Sequence, residues 1–141
     1  MTVSRPGGAP GRMRLVLVED CADDAELLYF QLEDAGLALD LVRVEDAAAL
    51  HAALAAGADA VVSDVSLPRF SGLEALAIVR AHDHALPFVF CSGAADARVD
   101  EAVREGWALA HVLKDAPARL PALLAGAVDQ ARVRSGHAGS G

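Results

Sequence analysis

Short apolar segments alternate along this chain with longer segments of helical periodicity, and no other feature constrains the fold as strongly. The first apolar segment, at 15–18, has no polar alternation, which is typical of a strand covered on both faces. The segment after it has apolar residues at helical spacing and ends at Gly36. Five such units in succession predict an α/β domain with a parallel sheet, helices on both faces and right-handed crossovers.

The boundaries of these units follow from the apolar patterns and from the turn residues between them. We predict strands at 15–18, 39–44, 60–63, 88–91 and 110–113. We predict helices at 23–35, 46–56, 73–81, 96–105 and 120–134. Residues 1–12 are rich in proline and glycine and predict a flexible arm, and residues 135–141 predict a flexible tail. One domain at 13–134 is left between them.

Composition and charge limit the classes of partner. At 141 residues the chain has the usual size of one domain, and its hydrophobic content of 54% excludes wholesale disorder. The formal charge of −8 argues against nucleic acid as a direct partner, because phosphate backbones are bound by clustered lysine and arginine. An acidic surface instead suits a cation or a basic protein partner.

The cysteines and the lengths of the apolar runs indicate the compartment. Cys21 and Cys91 lie far apart and in no metal-ligand spacing, so we predict free thiols in a reducing environment. No apolar run approaches the roughly 18–20 residues that a membrane span needs. The run at 15–18 is too short for a signal peptide and continues directly into acidic residues. We therefore expect a cytoplasmic protein without membrane contact.

Polar side chains follow four of the five predicted strands at the point where each strand ends. They are Glu19 and Asp20 after the first strand, Asp64 after the third, Ser92 after the fourth and Lys114 after the fifth. Ligands of open parallel sheets bind at this edge, near the point where strand order reverses. Each residue alone also suits an ordinary role as a helix cap, a turn residue or a solvated charge. Lys114 is the only lysine among the twelve basic residues, which favours a role that needs a compact ammonium group.

Together these residues predict a phosphoryl site if the fold brings them close. Converging carboxylates repel and raise each other's pKa unless a cation lies among them. Mg²⁺ suits such a site, because it takes oxygen ligands and binds through a few carboxylates and a phosphate. The Ser92 hydroxyl and the Lys114 ammonium would stabilise charge on phosphoryl oxygens. Asp64 would then be the nucleophile that forms an aspartyl phosphate.

The same residues and their neighbours carry a resemblance to a known family. The chain resembles the response-regulator receiver domains of two-component signalling, in the version found as stand-alone domains and in hybrid sensor kinases. The resemblance extends from residue 14 to about 134. The matching segments are Val18-Glu19-Asp20 with Asp23-Asp24, Ser63-Asp64-Val65-Ser66-Leu67-Pro68 with Ser71-Gly72-Leu73, Ser92-Gly93, and Leu113-Lys114-Asp115. Each motif alone is weak, whereas four in order at strand ends are highly specific.

The resemblance implies both a fold and a metal site. The fold is a flavodoxin-like, doubly wound parallel sheet of five βα units with strand order 2-1-3-4-5. Asp64 is implied as the phosphoacceptor. The implied ligands of Mg²⁺ are Asp20 directly, Glu19 partly through water, Asp64, and the backbone carbonyl of Ser66.

The resemblance also implies a switch, and here the chain departs from the family. Ser92 is implied to bind a phosphoryl oxygen and to shift on activation, and Lys114 to pair with the phosphoryl charge. The family usually carries Tyr or Phe three residues before the lysine, where this chain has His111. His111 is interpreted either as a buried core histidine or as a variant switch residue that alters the switch or makes it pH-sensitive. Trp107 is interpreted either as filling a gap in the core, which we prefer, or as part of a partner surface.

The implied function is a phosphorylation switch with no output domain on this chain. It is not an enzyme beyond its own phosphorylation and slow dephosphorylation. The expected partners are a sensor histidine kinase or a histidine phosphotransfer protein as donor and a downstream protein as target, and homodimerisation is left open.

There are three alternatives: a degenerate receiver, which is the most serious rival, and two proteins of other classes. A degenerate receiver would dock unphosphorylated, but here every acidic, hydroxyl and lysine position holds a competent residue. An aspartyl-phosphate hydrolase of the haloacid-dehalogenase kind needs a second aspartate two residues after the nucleophile, where this chain has Ser66. A flavin or nucleotide module needs a phosphate-binding loop after the first strand, where Glu19 and Asp20 would repel phosphate without a metal.

Overall fold

Five strands and five helices alternate along residues 12–139, which are the residues that the computed structural model describes. In chain order they are β1 (Arg12–Val18), α1 (Ala22–Asp34), β2 (Ala38–Val44), α2 (Ala47–Ala56), β3 (Ala60–Ser63), α3 (Gly72–His82), β4 (Phe88–Ser92), α4 (Ala97–Arg104), β5 (Ala110–Leu113) and α5 (Leu120–Gly139). The flexible arm predicted for the N-terminus falls, up to residue 11, outside the described residues.

The strands form one parallel sheet in the order β2-β1-β3-β4-β5. This confirms the flavodoxin-like, doubly wound fold implied by the resemblance. Strand order reverses at β1, which pairs with β2 along one side and with β3 along the other. Val18 pairs with Ser63, so β1 and β3 end at the same level. The loops that follow these two strands therefore begin side by side at the switch point.

An apolar layer covers each face of the sheet. Alternate residues of β1 face opposite layers, with Leu15 in one buried cluster and Val16 in the other. Helices α1 and α5 supply one layer, with Leu28, Leu32 and Leu124 among its members. Helices α2, α3 and α4 supply the other. Since both faces are covered, the buried middle parts of the central strands are apolar without alternation, which explains the uninterrupted runs in the sequence.

All ten predicted elements are present, and the differences lie at their ends. Strand β1 begins at Arg12, ahead of the predicted 15, because Arg12 pairs with Ala38 of β2. The guanidinium of Arg12 also binds the carboxylate of Asp40. Helix α5 ends at Gly139 rather than at 134. Among the described residues no helix has the length and apolar character needed to cross a membrane.

Two smaller expectations have different outcomes. Cys21 and Cys91 are both free thiols, as predicted. The preferred interpretation of Trp107 as a filler of the core is wrong, since this residue is 53% exposed. Gly106 adopts a left-handed φ of 85° after α4, and it is Ala108 that enters the core there, at 4% exposure.

Candidate functional site

The carboxyl edge of the sheet brings together most of the predicted site residues. The backbone N–H of Asp64 donates to the Val18 carbonyl at 2.9 Å, which continues the pairing of β1 and β3 by one residue. In the same way the N–H of Lys114 donates to the Ser92 carbonyl at 2.7 Å. The ladder thus fixes the backbone from which the Asp64 and Lys114 side chains project.

The ammonium of Lys114 is bound by three carboxylates. Its Nζ lies 2.7 Å from Glu19 Oε1, 3.0 Å from Asp64 Oδ2 and 3.1 Å from Asp24 Oδ2. Glu19 is 4% exposed, whereas the Asp24 side chain, on α1, is 48% exposed. The sequence placed Asp24 in a matching motif but gave it no role, so its contact with Lys114 is a finding of the structure.

Charge and burial act in opposite directions at this contact. Burial raises the pKa of Glu19, and the hydrogen bond from Lys114 and the one from the Cys21 N–H lower it again without cancelling the shift. Burial lowers the pKa of Lys114, but its hydrogen bonds to Glu19, Asp64 and Asp24 outweigh burial and raise that pKa above its usual range. Lys114 therefore keeps its charge over the whole physiological range.

A cluster of carboxylates lies beside Lys114. One oxygen each of Glu19, Asp20 and Asp64 lies within 4.8 Å of the others. Three carboxylates contact the single ammonium and Asp20 adds a fourth to the cluster, so the site keeps an excess of negative charge. An all-oxygen donor set of this kind suits Mg²⁺. The three clustered residues, which the sequence named as metal ligands, could thus hold a divalent cation.

The loop between β3 and α3 folds tightly around Asp64. Asp64 Oδ1 accepts the Val65 N–H at 2.7 Å, and the Gly72 N–H donates to the Val65 carbonyl at 2.8 Å. Ser66 and Ser71 pair across the loop in an isolated antiparallel bridge. Both oxygens of the Asp64 carboxylate are therefore oriented, Oδ1 by the loop and Oδ2 by Lys114. The role of the Ser66 carbonyl as a ligand stays a prediction.

The Ser92 hydroxyl lies at the same edge but is bound to other groups. Ser92 Oγ lies 2.8 Å from the Ala94 carbonyl oxygen and 2.6 Å from His111 Nε2. His111 Nδ1 in turn lies 3.1 Å from Asp100 Oδ1 of α4. The His111 ring packs edge-on against Phe90, and its side chain is 7% exposed. His111 is thus buried, as one interpretation had it, and is also hydrogen-bonded to the predicted switch residue.

Asp100 is the residue of this region that sequence reasoning missed. It lies in the first turn of α4, where an acidic residue is ordinary, and nothing in its spacing from His111 marks a contact. Only the packing of α4 against β5 brings the two side chains together.

Comparisons with known proteins bear on the family and the fold. A family model described as the response regulator receiver domain matches residues 15–125, a range that contains every candidate site residue. No curated protein matches the chain.

Several solved structures have the same fold. The signal receiver domain of an HD domain-containing protein from Pseudomonas fluorescens Pf-5 is 23% identical, with a TM-score of 0.72 over 88% of this chain and 92% of that one. A response regulator receiver domain protein from Clostridium thermocellum is 16% identical, with a TM-score of 0.68 over 86% and 98%. Full-length FixJ from B. japonicum is 28% identical, with a TM-score of 0.67 over 84% of this chain and 59% of that one.

Proposed function

The chain belongs to the response regulator receiver domain family, and on that premise we propose that Asp64 is its phosphoryl acceptor. The reaction requires Mg²⁺, and the phosphorylated domain acts by changing which proteins it binds. The donor is a phosphohistidine on a sensor histidine kinase or a phosphotransfer protein. The chain turns over no free substrate, apart from the slow loss of its own phosphoryl group.

The observation that carries this proposal is the position of Asp64 between an ammonium and a cluster of carboxylates. Asp64 Oδ2 lies 3.0 Å from Lys114 Nζ, and the same residue belongs to the cluster with Glu19 and Asp20. Glu19 shares both contacts, but its side chain is 5% exposed against 14% for Asp64. Asp64 is therefore the more accessible carboxylate at a point where phosphoryl charge would be stabilised.

The transfer itself makes one bond and breaks one. A carboxylate oxygen of Asp64 attacks the phosphorus of the donor and forms a P–O bond, while the bond from phosphorus to the donor's leaving atom breaks and its electron pair leaves with that atom. Lys114, already 3.0 Å from Oδ2, pairs with the charge on the phosphoryl oxygens. Attack by a carboxylate oxygen needs no general base, because this nucleophile has no proton to lose.

The same site has residues that fit Mg²⁺. Glu19, Asp20 and Asp64 would hold the ion, with the Ser66 carbonyl as a further oxygen ligand. Their excess of negative charge over Lys114 would repel a phosphoryl donor in the absence of a cation. When bound, Mg²⁺ supplies positive charge that neutralises these carboxylates and the phosphoryl oxygens together.

Phosphorylation of the purified chain tests the proposal. The protein is incubated with acetyl phosphate, with and without Mg²⁺, and its intact mass is measured. We expect a gain of one phosphoryl group that needs Mg²⁺ and that is lost in Asp64→Asn. Asp129→Asn, which removes an exposed carboxylate of α5 instead, serves as the matched control and should be phosphorylated like the wild type.

Two results would contradict the proposal. A mass gain that persists in Asp64→Asn would assign the phosphoryl group to another residue. A folded wild type that gains no mass from acetyl phosphate or from a phosphohistidine donor would favour the unphosphorylated docking module.

A further inference from the structure

Three side chains form a continuous hydrogen-bonded row next to the proposed acceptor site. Asp100 Oδ1 lies 3.1 Å from His111 Nδ1, and His111 Nε2 lies 2.6 Å from Ser92 Oγ. The row, defined as Asp100, His111 and Ser92, ends on the hydroxyl implied to bind a phosphoryl oxygen. Ser92 is 4% exposed, so its hydroxyl depends on protein partners rather than on bulk water.

The proton count at Ser92 favours one protonation state of the His111 ring. A serine hydroxyl has one proton to donate, and Ser92 Oγ lies within hydrogen-bond distance of both the Ala94 carbonyl and His111 Nε2. The carbonyl can only accept. If Nε2 also accepts, one of the two contacts has no proton. If Nε2 carries a proton, it donates to Ser92 Oγ and the hydroxyl proton goes to Ala94, so that both contacts are hydrogen bonds.

The same argument applies to the other ring nitrogen. An ionised carboxylate only accepts, so the contact with Asp100 requires that Nδ1 donate. Every contact of the row is a hydrogen bond when both ring nitrogens are protonated. His111 is then an imidazolium paired with the Asp100 carboxylate.

Charged groups of both signs lie around His111. Asp100 of α4 is the anion that faces the ring. Ahead of α5, Arg119 binds the backbone carbonyl of His111 at 2.8 Å. On β5 itself, Lys114 is bound to Glu19, Asp24 and Asp64.

We propose that Asp100 and His111 are a positioning pair for the Ser92 hydroxyl. The imidazolium donates to Ser92 Oγ, which leaves the hydroxyl proton for an acceptor on the other side. That acceptor is the Ala94 carbonyl before phosphorylation and an oxygen of the Asp64 phosphoryl group afterwards. When His111 loses its Nε2 proton to solvent, Nε2 becomes an acceptor and captures the hydroxyl proton, so the phosphoryl oxygen loses this donor. The pair rests on the proposed function, because it serves phosphoryl transfer to Asp64.

The first test reads the ring directly. Nitrogen NMR of the labelled full chain distinguishes an imidazolium from either neutral tautomer of His111 as pH is varied. We expect the nitrogen signals of a ring that donates from both nitrogens in the wild type, and Asp100→Asn to move the Nδ1 signal, since that nitrogen then lacks its carboxylate partner. A ring that is neutral throughout, with an unprotonated Nε2, would overturn the positioning pair.

The second test follows function. The initial rate of phosphorylation by acetyl phosphate is measured against pH for the wild type and for His111→Phe. The ratio of the two rates cancels the effects of pH on the donor and on Asp64. We expect this ratio to fall roughly fivefold as His111 is deprotonated, the loss that corresponds to one hydrogen bond. The control His51→Gln removes an exposed histidine of α2 and should keep the wild-type profile.

The outcomes separate the two proposals. A flat ratio in a protein that is still phosphorylated at Asp64 would overturn the positioning pair alone. Absence of phosphorylation in the folded wild type at every pH would overturn the proposed function and the pair with it.

Discussion

Glu19 carries a carboxylate at a position where burial opposes its charge. The residue is 4% exposed, and burial raises its pKa despite the hydrogen bond from Lys114. A pKa that is higher in the folded than in the unfolded state means that the folded protein binds this proton more tightly. The stability that this proton contributes is present at pH values below the Glu19 pKa of the unfolded state. It is lost as pH rises through the Glu19 pKa of the folded state. At neutral pH the ionised Glu19 therefore destabilises the fold.

Replacing Glu19 by a neutral residue of the same shape should remove the destabilisation that comes from burying its charge. We expect Glu19→Gln to raise the free energy of unfolding at pH 7, without Mg²⁺, by on the order of 1 kcal/mol. The gain should shrink towards pH 4, where more than half of the wild-type carboxyl is protonated in both states. Urea denaturation at the two pH values measures it, with Glu26→Gln, an exposed position of α1, as control. A loss of stability at pH 7 would instead show that the ion pair with Lys114 outweighs burial.

The individual residues of the site differ in how far the sequence could predict them. Glu19, Asp20, Asp64 and Lys114 follow strands, and parallel strands end at one edge, so their convergence follows from topology alone. The contact of Lys114 with Asp24 depends on how α1 is rotated against the sheet. That rotation is set by tertiary packing and leaves no sign in residue spacing. The Asp100 contact with His111 was missed for the same reason.

At the scale of elements, the start of α3 determines the shape of the loop that carries Asp64. Ser71 caps α3 by accepting the Glu74 N–H at 3.1 Å, and the Glu74 side chain accepts the Ser71 N–H at 3.2 Å. Gly72 follows at a close approach of two backbone segments. A Cβ on Gly72 would lie 2.5 Å from the Asp64 carbonyl oxygen and 2.9 Å from Val65 Cα. These are backbone atoms that cannot rotate away, so a side chain here would displace the loop.

The variant Gly72→Ala tests this tight loop. We expect it to lower the free energy of unfolding by roughly 1–3 kcal/mol, the range for overpacking a filled site, and to slow phosphorylation of Asp64. The control is Gly126→Ala in α5, where an added Cβ meets nothing within 4 Å and where alanine favours the helix. Urea denaturation and the rate of mass gain measure the two effects. If the two variants have the same free energy of unfolding and the same phosphorylation rate, the loop accommodates the added Cβ without loss of stability.

The elements themselves were largely predictable, because each apolar run is short and is bounded by turn residues. Strands β3 and β5 have the predicted bounds. Strand β1 starts earlier than predicted because Arg12 pairs with β2 and binds Asp40. These contacts between strands cannot be read from a local sequence pattern. The environment of Trp107 was likewise decided by a turn, since after the left-handed Gly106 that follows α4 it is Ala108 rather than Trp107 that is buried.

At the scale of the whole molecule, the topology concentrates negative charge at one edge of the sheet. The chain has a formal charge of −8. Three of its carboxylates contact Lys114, and Asp20 lies in a cluster with two of them. Their mutual repulsion opposes folding, while the two apolar layers on the faces of the sheet favour it. A cation that binds this edge only in the folded state would shift the balance towards folding.

Magnesium should therefore stabilise the whole domain through this one edge. Ligand binding to the folded state alone adds about 2.7 kcal/mol when the ligand is at a hundred times its Kd, so the melting temperature should rise with Mg²⁺ concentration. NaCl at equal ionic strength should raise it less, because monovalent salt screens the carboxylates without being coordinated by them.

The variant Asp20→Asn separates coordination from general screening. It should lose most of the response to Mg²⁺, because Asp20 is one of the three clustered ligands, while the exposed Asp129→Asn keeps it. Differential scanning calorimetry across a series of Mg²⁺ concentrations measures the melting temperatures of the wild type and the two variants. If both variants respond like the wild type, the stabilisation comes from screening of the net charge, and the clustered carboxylates do not bind the ion as a unit.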